Sequence, residues 1–246
     1  MELEENERID DLEINNYKII QKKDGFCFGI DSVLLSDFAK DIRNGSNVID
    51  LGTGTGILPI LLCAKTKINK IIGIEIQEEI AEMAKRSVDL NNLQEKIEII
   101  NCDIKNINKF IPKNKFDVII TNPPYMKENT GKININEKKL ISRHEITANL
   151  EDFIIASKEL LKDNGSFYIV YRPNRLIDIC YLLRKHKLEP KILRFVYPKI
   201  NSEANLLLIK AVKNGGDFLK IKEPLYVYNE NGNYTDEILK IYNKLV

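Results

Sequence analysis

Short apolar segments that alternate with helical segments constrain the fold of this chain more than any other feature. Strands are predicted near 47–51, 70–75, 97–101 and 116–121, with helices near 57–65 and 77–91. Helix 150–162, strand 165–171, helix 173–187 and strands 191–198 and 204–212 follow, and the last two strands should pair antiparallel. Alternating strands and helices form βα units with a parallel sheet. The sequence therefore predicts an α/β fold with a doubly wound, mostly parallel seven-stranded sheet and an antiparallel final strand.

The length and composition fit one domain. A chain of 246 residues with 43% hydrophobic content can bury one sizeable core. We expect an amino-terminal extension over 1–45, with a hairpin or extended entry at 13–30, a core over 46–214 and a tail over 215–246. An Asn-Gly pair at 231–232 predicts a small hairpin in that tail.

A glycine-rich turn follows the first strand of the predicted sheet. It contains Gly52, Gly54 and Gly56, which would let the backbone approach a ligand closely before the next helix begins. The spacing departs from the dinucleotide fingerprint, which would need glycine where Ile57 stands. Asp50, two residues before the first glycine, instead suits a ligand that carries an ammonium group.

Acidic residues stand at or just beyond the ends of the next two strands. Glu75 ends the second strand, where its carboxylate could accept hydrogen bonds from two ribose hydroxyls. Asp103 follows the third strand and is placed to meet the adenine amino group of a nucleoside cofactor. Together with the glycine turn, these residues predict a nucleoside site at the carboxyl edge of the sheet.

The tetrapeptide Asn122-Pro123-Pro124-Tyr125 follows the fourth strand. Two prolines hold the backbone rigid as it leaves the sheet. The Asn122 side-chain carbonyl and the Pro123 backbone carbonyl are acceptors that could face one amino group, and Tyr125 could stack on a flat ring. The commoner use of Pro-Pro is to end a strand, but the upstream glycine turn favours the capture of a planar amine.

The ordered set of the glycine turn, Glu75, Asp103 and Asn-Pro-Pro-Tyr resembles the class I S-adenosylmethionine-dependent methyltransferases, whose fold is Rossmann-like. Asp24–Phe38 looks like the upstream segment of the bacterial valine-tRNA adenine N6-methyltransferases, which lies beside the methionine end of the cofactor. Further matching segments are Arg143-His144-Glu145, Tyr171-Arg172-Pro173, Leu188–Lys199 and Ala204–Ile209. The resemblance implies S-adenosylmethionine as cofactor, with Gly29 and Asp31 beside it, and methylation of an adenosine N6 in the anticodon loop of a valine tRNA.

The charge distribution suits an RNA partner better than the net charge of +1 does. Residues 162–222 contain thirteen Lys or Arg against five Asp or Glu, whereas residues 1–24 contain four basic against eight acidic residues. This asymmetry could give one basic face for RNA phosphates, although solvated lysines would produce the same count. The polar segment 126–143 is long enough to be functional. Lys127, Arg143 and His144 are candidate RNA contacts, with solvated surface charge as the alternative for the first two and a structural role for the histidine.

Several related activities remain open. Guanine N2-methylation of ribosomal RNA uses the same tetrapeptide, and so does glutamine N5-methylation of release factors, whose enzymes resemble two-domain proteins. DNA adenine methylation usually needs a target-recognition domain, for which the chain has no space. A noncatalytic nucleotide-binding or RNA-chaperone module would use the glycine turn but would have no use for the tetrapeptide.

Other residues predict neither a membrane anchor nor a metal centre. No apolar run approaches the roughly 18–20 residues that span a bilayer, and the acidic amino terminus does not resemble a signal peptide, so we expect a cytoplasmic protein. Two histidines without ligand spacing make a metal site improbable, and four scattered cysteines are expected to be reduced thiols. No obligate protein partner is evident.

Overall fold

The computed structural model describes residues 3–24, 29–125 and 148–245. Its strands are β1 (Glu7–Asp11), β2 (Lys18–Lys22), β3 (Asn47–Leu51), β4 (Lys70–Glu75), β5 (Ile97–Asn101), β6 (Phe116–Thr121), β7 (Leu161–Tyr171), β8 (Leu188–Tyr197), β9 (Leu206–Lys213), β10 (Lys220–Ile221) and β11 (Leu225–Tyr226). Its helices are α1 (Ile30–Phe38), α2 (Ile57–Lys65), α3 (Glu78–Leu90), α4 (Leu150–Leu160), α5 (Leu176–Lys185) and α6 (Asp236–Ile241), and 3-10 helices cover Ile104–Lys109 and Pro173–Arg175. None of the helices in these ranges is long and apolar enough to cross a membrane.

One mixed sheet organises the molecule. Its seven longer strands lie in the order β8-β9-β7-β6-β3-β4-β5, and β10 and β11 add two residues each alongside β8. The strands from β7 to β5 pair in parallel, while β9 is antiparallel to both β7 and β8. The predicted fold class, including the antiparallel seventh strand, is confirmed.

The central strands are buried on both faces, which explains their continuous apolar sequence. Val48 packs into the apolar cluster that α1, α2 and α3 form on one face of the sheet. Ile49, the next residue, packs into the opposite cluster with α4 and α5. Because side chains alternate along a strand, β3 needs large apolar residues at successive positions to fill both layers.

The amino-terminal extension forms a hairpin that packs on α3. β1 and β2 pair antiparallel, and the backbone N–H of Ile20 donates to Ser87 Oγ at 3.1 Å. Glu7, 3% exposed, accepts two hydrogen bonds from the Arg86 guanidinium, which lowers the pKa of that carboxyl. The hairpin is therefore anchored at the end of the sheet that carries β5.

The tail makes only part of the predicted hairpin. Tyr228 and Tyr234 form a single antiparallel bridge around the Asn-Gly turn, where Gly232 has a φ of +79°, and their rings stack at 5.3 Å. The tail also supplies β10 and β11, which the sequence pattern does not predict. Each is two residues long and depends on pairing with β8 rather than on its own pattern.

Candidate active site

The parallel strands end at one edge of the sheet, and the described residues that were predicted at strand ends lie along it. The Thr121 hydroxyl at the end of β6 donates to the Leu51 carbonyl at the end of β3, at 2.7 Å. This bond joins the start of the Asn-Pro-Pro-Tyr segment to the start of the glycine turn. Asn122 and Gly52, the residues that follow, therefore leave the sheet from adjacent strand ends.

All three glycines of the turn have a left-handed backbone, with φ values of +72° at Gly52, +56° at Gly54 and +89° at Gly56. The N–H groups of Gly52 and Thr53 both donate to the Ile74 carbonyl, at 2.9 and 2.8 Å. A Cβ atom added to Gly54 would meet nothing within 4 Å. The turn is thus fixed to β4 on one side and open above Gly54 on the other.

Glu75 supports this turn. Its side chain is 2% exposed and accepts the N–H of Gly54 at 2.9 Å through one oxygen and the N–H of Gln77 at 3.0 Å through the other. Each carboxylate oxygen has a further lone pair, so Glu75 can hold the turn and still accept hydrogen bonds from a ligand.

Asp50 is fully buried, and neither carboxylate oxygen has a hydrogen-bond partner. Burial raises the pKa of Asp50 to about 7, the nearby Thr53 hydroxyl lowers it in part, and the Glu75 charge adds to the rise. The Thr53 hydroxyl is a neighbour, but its geometry falls short of a hydrogen bond. An unpaired buried carboxylate is costly, so this position favours a cationic or hydrogen-bond-donating ligand group.

Asp103 lies beyond the end of β5, as predicted. One of its carboxylate oxygens accepts the N–H of Lys105 at 2.9 Å and so begins the 3-10 helix. Gly29 precedes the first turn of α1 with a φ of −94°, an ordinary value for any residue. Among the described residues, neither position shows a feature that by itself requires a ligand.

The tetrapeptide forms a hydrogen-bonded cluster with the start of α1. The Asn122 Nδ2 group donates to Ser32 Oγ at 3.1 Å, and the Tyr125 hydroxyl lies 3.0 Å from Asn122 Oδ1 and 2.7 Å from Asp31 Oδ2. Burial raises the pKa of the Tyr125 phenol well above its usual value, and the Asp31 charge adds to this effect. Asp31, predicted beside the cofactor, thus contacts the Asn-Pro-Pro-Tyr tetrapeptide.

The Tyr125 ring has two further neighbours. Tyr171, at the end of β7, meets it edge to face with ring centroids 5.4 Å apart. The Arg172 guanidinium carbon lies 4.4 Å from the Tyr125 centroid, and Arg172 Nη1 donates to the Asn205 carbonyl at 3.0 Å. A cation over the ring face is attractive and covers part of the surface on which a planar base would stack.

Ser32, Thr121 and Arg172 lie at the site, but the sequence pattern assigns none of them a role, although Ser32 and Arg172 stand in the matching segments Asp24–Phe38 and Tyr171-Arg172-Pro173. The rule that identified Glu75 and Asp103 would also have identified Arg172, because it directly follows a predicted strand. No comparable signal marks Ser32, whose role depends on how α1 packs. The candidate RNA contacts Lys127, Arg143 and His144 lie outside the described residues.

The described part of the chain contains no group of three or more His, Cys, Asp or Glu that could hold a metal ion. Cys63, Cys102 and Cys180 are free, and burial raises the pKa of the first two to about 11, which disfavours the thiolate form. Cys27 lies outside the described residues.

The sheet order, the glycine turn supported by Glu75 and the adjacent Asn-Pro-Pro-Tyr segment together define a Rossmann-like methyltransferase. Residues 23–186 match the family model of the methyltransferase small domain, and the chain belongs to this family.

Similar proteins agree with this class. The chain is 27% identical to a tRNA1(Val) (adenine(37)-N6)-methyltransferase of Porphyromonas gingivalis over 87% of this chain and 86% of that protein. It is 25% identical to the protein of the same name from Flavobacterium johnsoniae, over 94% and 96%. Among solved structures, a predicted O-methyltransferase of Agrobacterium tumefaciens matches with a TM-score of 0.70, 20% identity and coverage of 87% and 97%. The tRNA m1G37 methyltransferase of M. jannaschii matches with a TM-score of 0.60, 16% identity and coverage of 86% and 55%, and both structures support the fold alone.

Proposed function

We propose that this chain methylates the N6 amine of an adenosine in tRNA, at the anticodon-loop position 37 of a valine tRNA, with S-adenosylmethionine as donor. The observation that carries the proposal is the position of the Asn122 amide and the Tyr125 ring, which leave the sheet beside the glycine turn. The names of the relatives from P. gingivalis and F. johnsoniae support the same substrate.

The residues at the edge fit the cofactor. Asp50 offers an unpaired buried carboxylate for an ammonium group, Glu75 keeps lone pairs for ribose hydroxyls, and the space above Gly54 admits a ligand close to the backbone. Asp103 remains the candidate for the adenine amino group. When bound, S-adenosylmethionine supplies a methyl group on a positively charged sulfur, so no protein nucleophile is needed.

The chain's own contribution is to hold the target amine. Asn122 Oδ1 and the Pro123 carbonyl would accept hydrogen bonds from its two N–H groups, which reduces delocalisation of the nitrogen lone pair into the ring. Tyr125 would stack on the base, and the Pro-Pro backbone would keep both acceptors in place. Fixed positioning of two reactants can lower the activation free energy by roughly 7–11 kcal/mol. An unpaired loop adenine suits this site because little base pairing is lost when it turns out.

The tRNA contacts are proposed from the charged residues of the segment that follows the tetrapeptide. Lys127, Arg143 and His144 are proposed RNA contacts, and we assign His144 no role as a base because the methylated ammonium loses its proton readily to water. Since the substrate would be cellular tRNA, we keep the cytoplasm as the expected location.

Nucleoside mass spectrometry tests the proposal. The protein is incubated with methyl-labelled S-adenosylmethionine and unmodified valine tRNA, and the label is expected in N6-methyladenosine. Label in N2-methylguanosine would keep the fold and cofactor but overturn the adenine target. A release factor labelled at N5-glutamine, with no labelled nucleoside, would overturn the RNA substrate.

The role of Asn122 is tested separately. Asn122→Ala should bind S-adenosylhomocysteine as wild type does in calorimetry, because Asn122 acts on the target amine, but should lose most single-turnover activity. Asn69→Ala, at the amino edge of the sheet, is the matched control. Turnover of Asn122→Ala within about threefold of wild type, roughly 0.7 kcal/mol, would remove Asn122 from the chemistry.

A further inference from the structure

A single phenol proton lies between two acceptors in the site. The Tyr125 oxygen is 2.7 Å from Asp31 Oδ2 and 3.0 Å from Asn122 Oδ1. A tyrosine hydroxyl donates only one hydrogen bond, so it can serve only one of these oxygens at a time. The other oxygen then faces the phenol without a proton between them.

Asp31 is the stronger competitor for that proton. Its contact is the shorter of the two, and a hydrogen bond to a carboxylate is roughly twice as strong as one to a neutral carbonyl. The Asn122 amide cannot rotate its oxygen away from the Tyr125 hydroxyl without losing the hydrogen bond from Nδ2 to Ser32 Oγ. Asn122 Oδ1 therefore keeps an unfilled acceptor site that needs an external N–H donor.

We propose that Asp31 is a positioning residue that accepts the hydrogen bond of the Tyr125 hydroxyl and so leaves Asn122 Oδ1 open for the target amine. This inference rests on the proposed function and assigns Asp31 a role that acts through the tetrapeptide, in place of the cofactor contact implied by sequence resemblance. Ser32 fixes the amide orientation from the same turn of α1. The start of α1 thereby sets the hydrogen-bonding state of a catalytic segment 90 residues away in sequence.

Removal of the Asp31 carboxylate redirects the phenol proton. Without it, the partner left to the Tyr125 hydroxyl within this cluster is Asn122 Oδ1, and a phenol bound there competes with the target amine. Removal of the hydroxyl as well should free Oδ1 again. The two substitutions are therefore expected to compensate each other, which neither a cofactor contact nor a purely structural role of Asp31 would produce.

The experiment compares Asp31→Leu, Tyr125→Phe and the double variant at saturating tRNA and S-adenosylmethionine. Leucine has the branched skeleton of aspartate, is somewhat larger and offers no acceptor. Asp31→Leu should lower kcat by about tenfold, which corresponds to about 1.4 kcal/mol, because the amine must displace a hydrogen bond. The double variant should turn over at least about threefold faster than Asp31→Leu, whereas independent losses would multiply. Asp31→Asn, which keeps an acceptor oxygen, should fall between wild type and Asp31→Leu and serves if the leucine variant does not fold.

Asp37→Ala provides the matched control, since Asp37 lies on the same helix and pairs only with Lys40 among its described ion pairs. Calorimetry with S-adenosylhomocysteine should give similar affinities for wild type and Asp31→Leu. A double variant as slow as Asp31→Leu or slower would overturn the inference, and so would a large loss of cofactor affinity on Asp31→Leu alone. Failure of the wild-type protein to methylate adenosine would instead reject the proposed function, so the two failures are distinguishable.

Discussion

At the scale of a single residue, Glu75 holds the glycine turn and is proposed to bind the cofactor. Its buried carboxylate accepts hydrogen bonds from the N–H groups of Gly54 and Gln77, so the same side chain shapes the turn and keeps lone pairs for a ligand. Glu75→Ala should weaken S-adenosylhomocysteine binding by about 1.5–3 kcal/mol, the range for hydrogen bonds to a charged group. Calorimetry measures this loss, with the exposed Glu78→Ala as control. Wild-type affinity in a folded Glu75→Ala protein would remove Glu75 from the site.

Asp50 makes the stability of the ligand-free protein depend on pH. A carboxyl group whose pKa is raised in the folded state binds more protons when folded than when unfolded. Its contribution to stability is fully present below its usual pKa of 3.8 and is lost as the pH rises through about 7. Each pKa unit corresponds to about 1.4 kcal/mol, so the full change is on the order of 4 kcal/mol.

Asp50→Asn should remove this dependence, because asparagine does not titrate. Urea unfolding without cofactor should show the variant gaining stability relative to wild type as the pH rises from about 4 to about 7. Carboxyl groups with lowered pKa values, such as Asp117, occur in both proteins and cancel in the comparison. Saturating S-adenosylhomocysteine, whose ammonium group favours the charged carboxylate, should reduce the difference. A constant difference across this range would contradict the raised pKa.

At the scale of the element, alanine substitution in the glycine turn can distinguish the cost of backbone strain from the loss of ligand contact. Gly54 and Gly45 have φ values of +56° and +78°, and an added Cβ at either meets nothing within 4 Å. Alanine at either position should therefore cost a similar amount of stability, about 1–2 kcal/mol. Only Gly54→Ala should also weaken S-adenosylhomocysteine binding, because its methyl group would occupy the space proposed for the ligand. Equal affinities in the two variants would show that no ligand lies over Gly54.

The βα units could be predicted from sequence because their strands are continuous apolar runs bounded by polar residues. β3, β4, β5 and β6 have the predicted bounds. β7 differs: it begins at Leu161, within the predicted helix 150–162, because it pairs with Phe116 at that position. β10 and β11 carry no alternating pattern, and their pairing with β8 is a tertiary effect that the local sequence does not contain.

The site likewise contains residues that the sequence predicts and contacts that only the packing of distant elements creates. Glu75 and the glycine turn follow from their place at strand ends, because parallel strands bring their carboxyl ends to one edge. The contact between Asp31 and Tyr125 could not be inferred, because it depends on where a helix outside the βα units packs. The position of Arg172 over the Tyr125 ring also depends on its bond to Asn205, in the segment between β8 and β9.

At the scale of the whole molecule, the strand order places the acidic and the basic segments of the sequence towards opposite ends of the sheet. The acidic amino-terminal segment forms the hairpin on α3, near the end of the sheet that carries β5. The basic segment 162–222 includes β7, β8 and β9, at the opposite end. Lys199 closely follows the end of β8, at the same edge as Arg172. RNA phosphates are therefore expected near β8, at the edge of the sheet where the parallel strands end.

Salt and charge variants test this placement together. Activity on tRNA should fall steeply with added salt, whereas S-adenosylhomocysteine affinity, which depends on a short-range pocket, should hardly change. Arg172→Gln with Lys199→Gln should raise the tRNA KM and flatten the logarithmic salt dependence by about one for each phosphate that is no longer neutralised. Neutralisation of Lys127, Lys132 and Arg143 should act in the same direction.

The matched control is Lys70→Gln with Lys115→Gln, which removes the same charge from exposed positions at the amino ends of β4 and β6. If both pairs of substitutions raised KM equally, net charge rather than the position of Arg172 and Lys199 would govern tRNA binding. An unchanged salt slope in the variant with Arg172→Gln and Lys199→Gln would place the phosphates elsewhere.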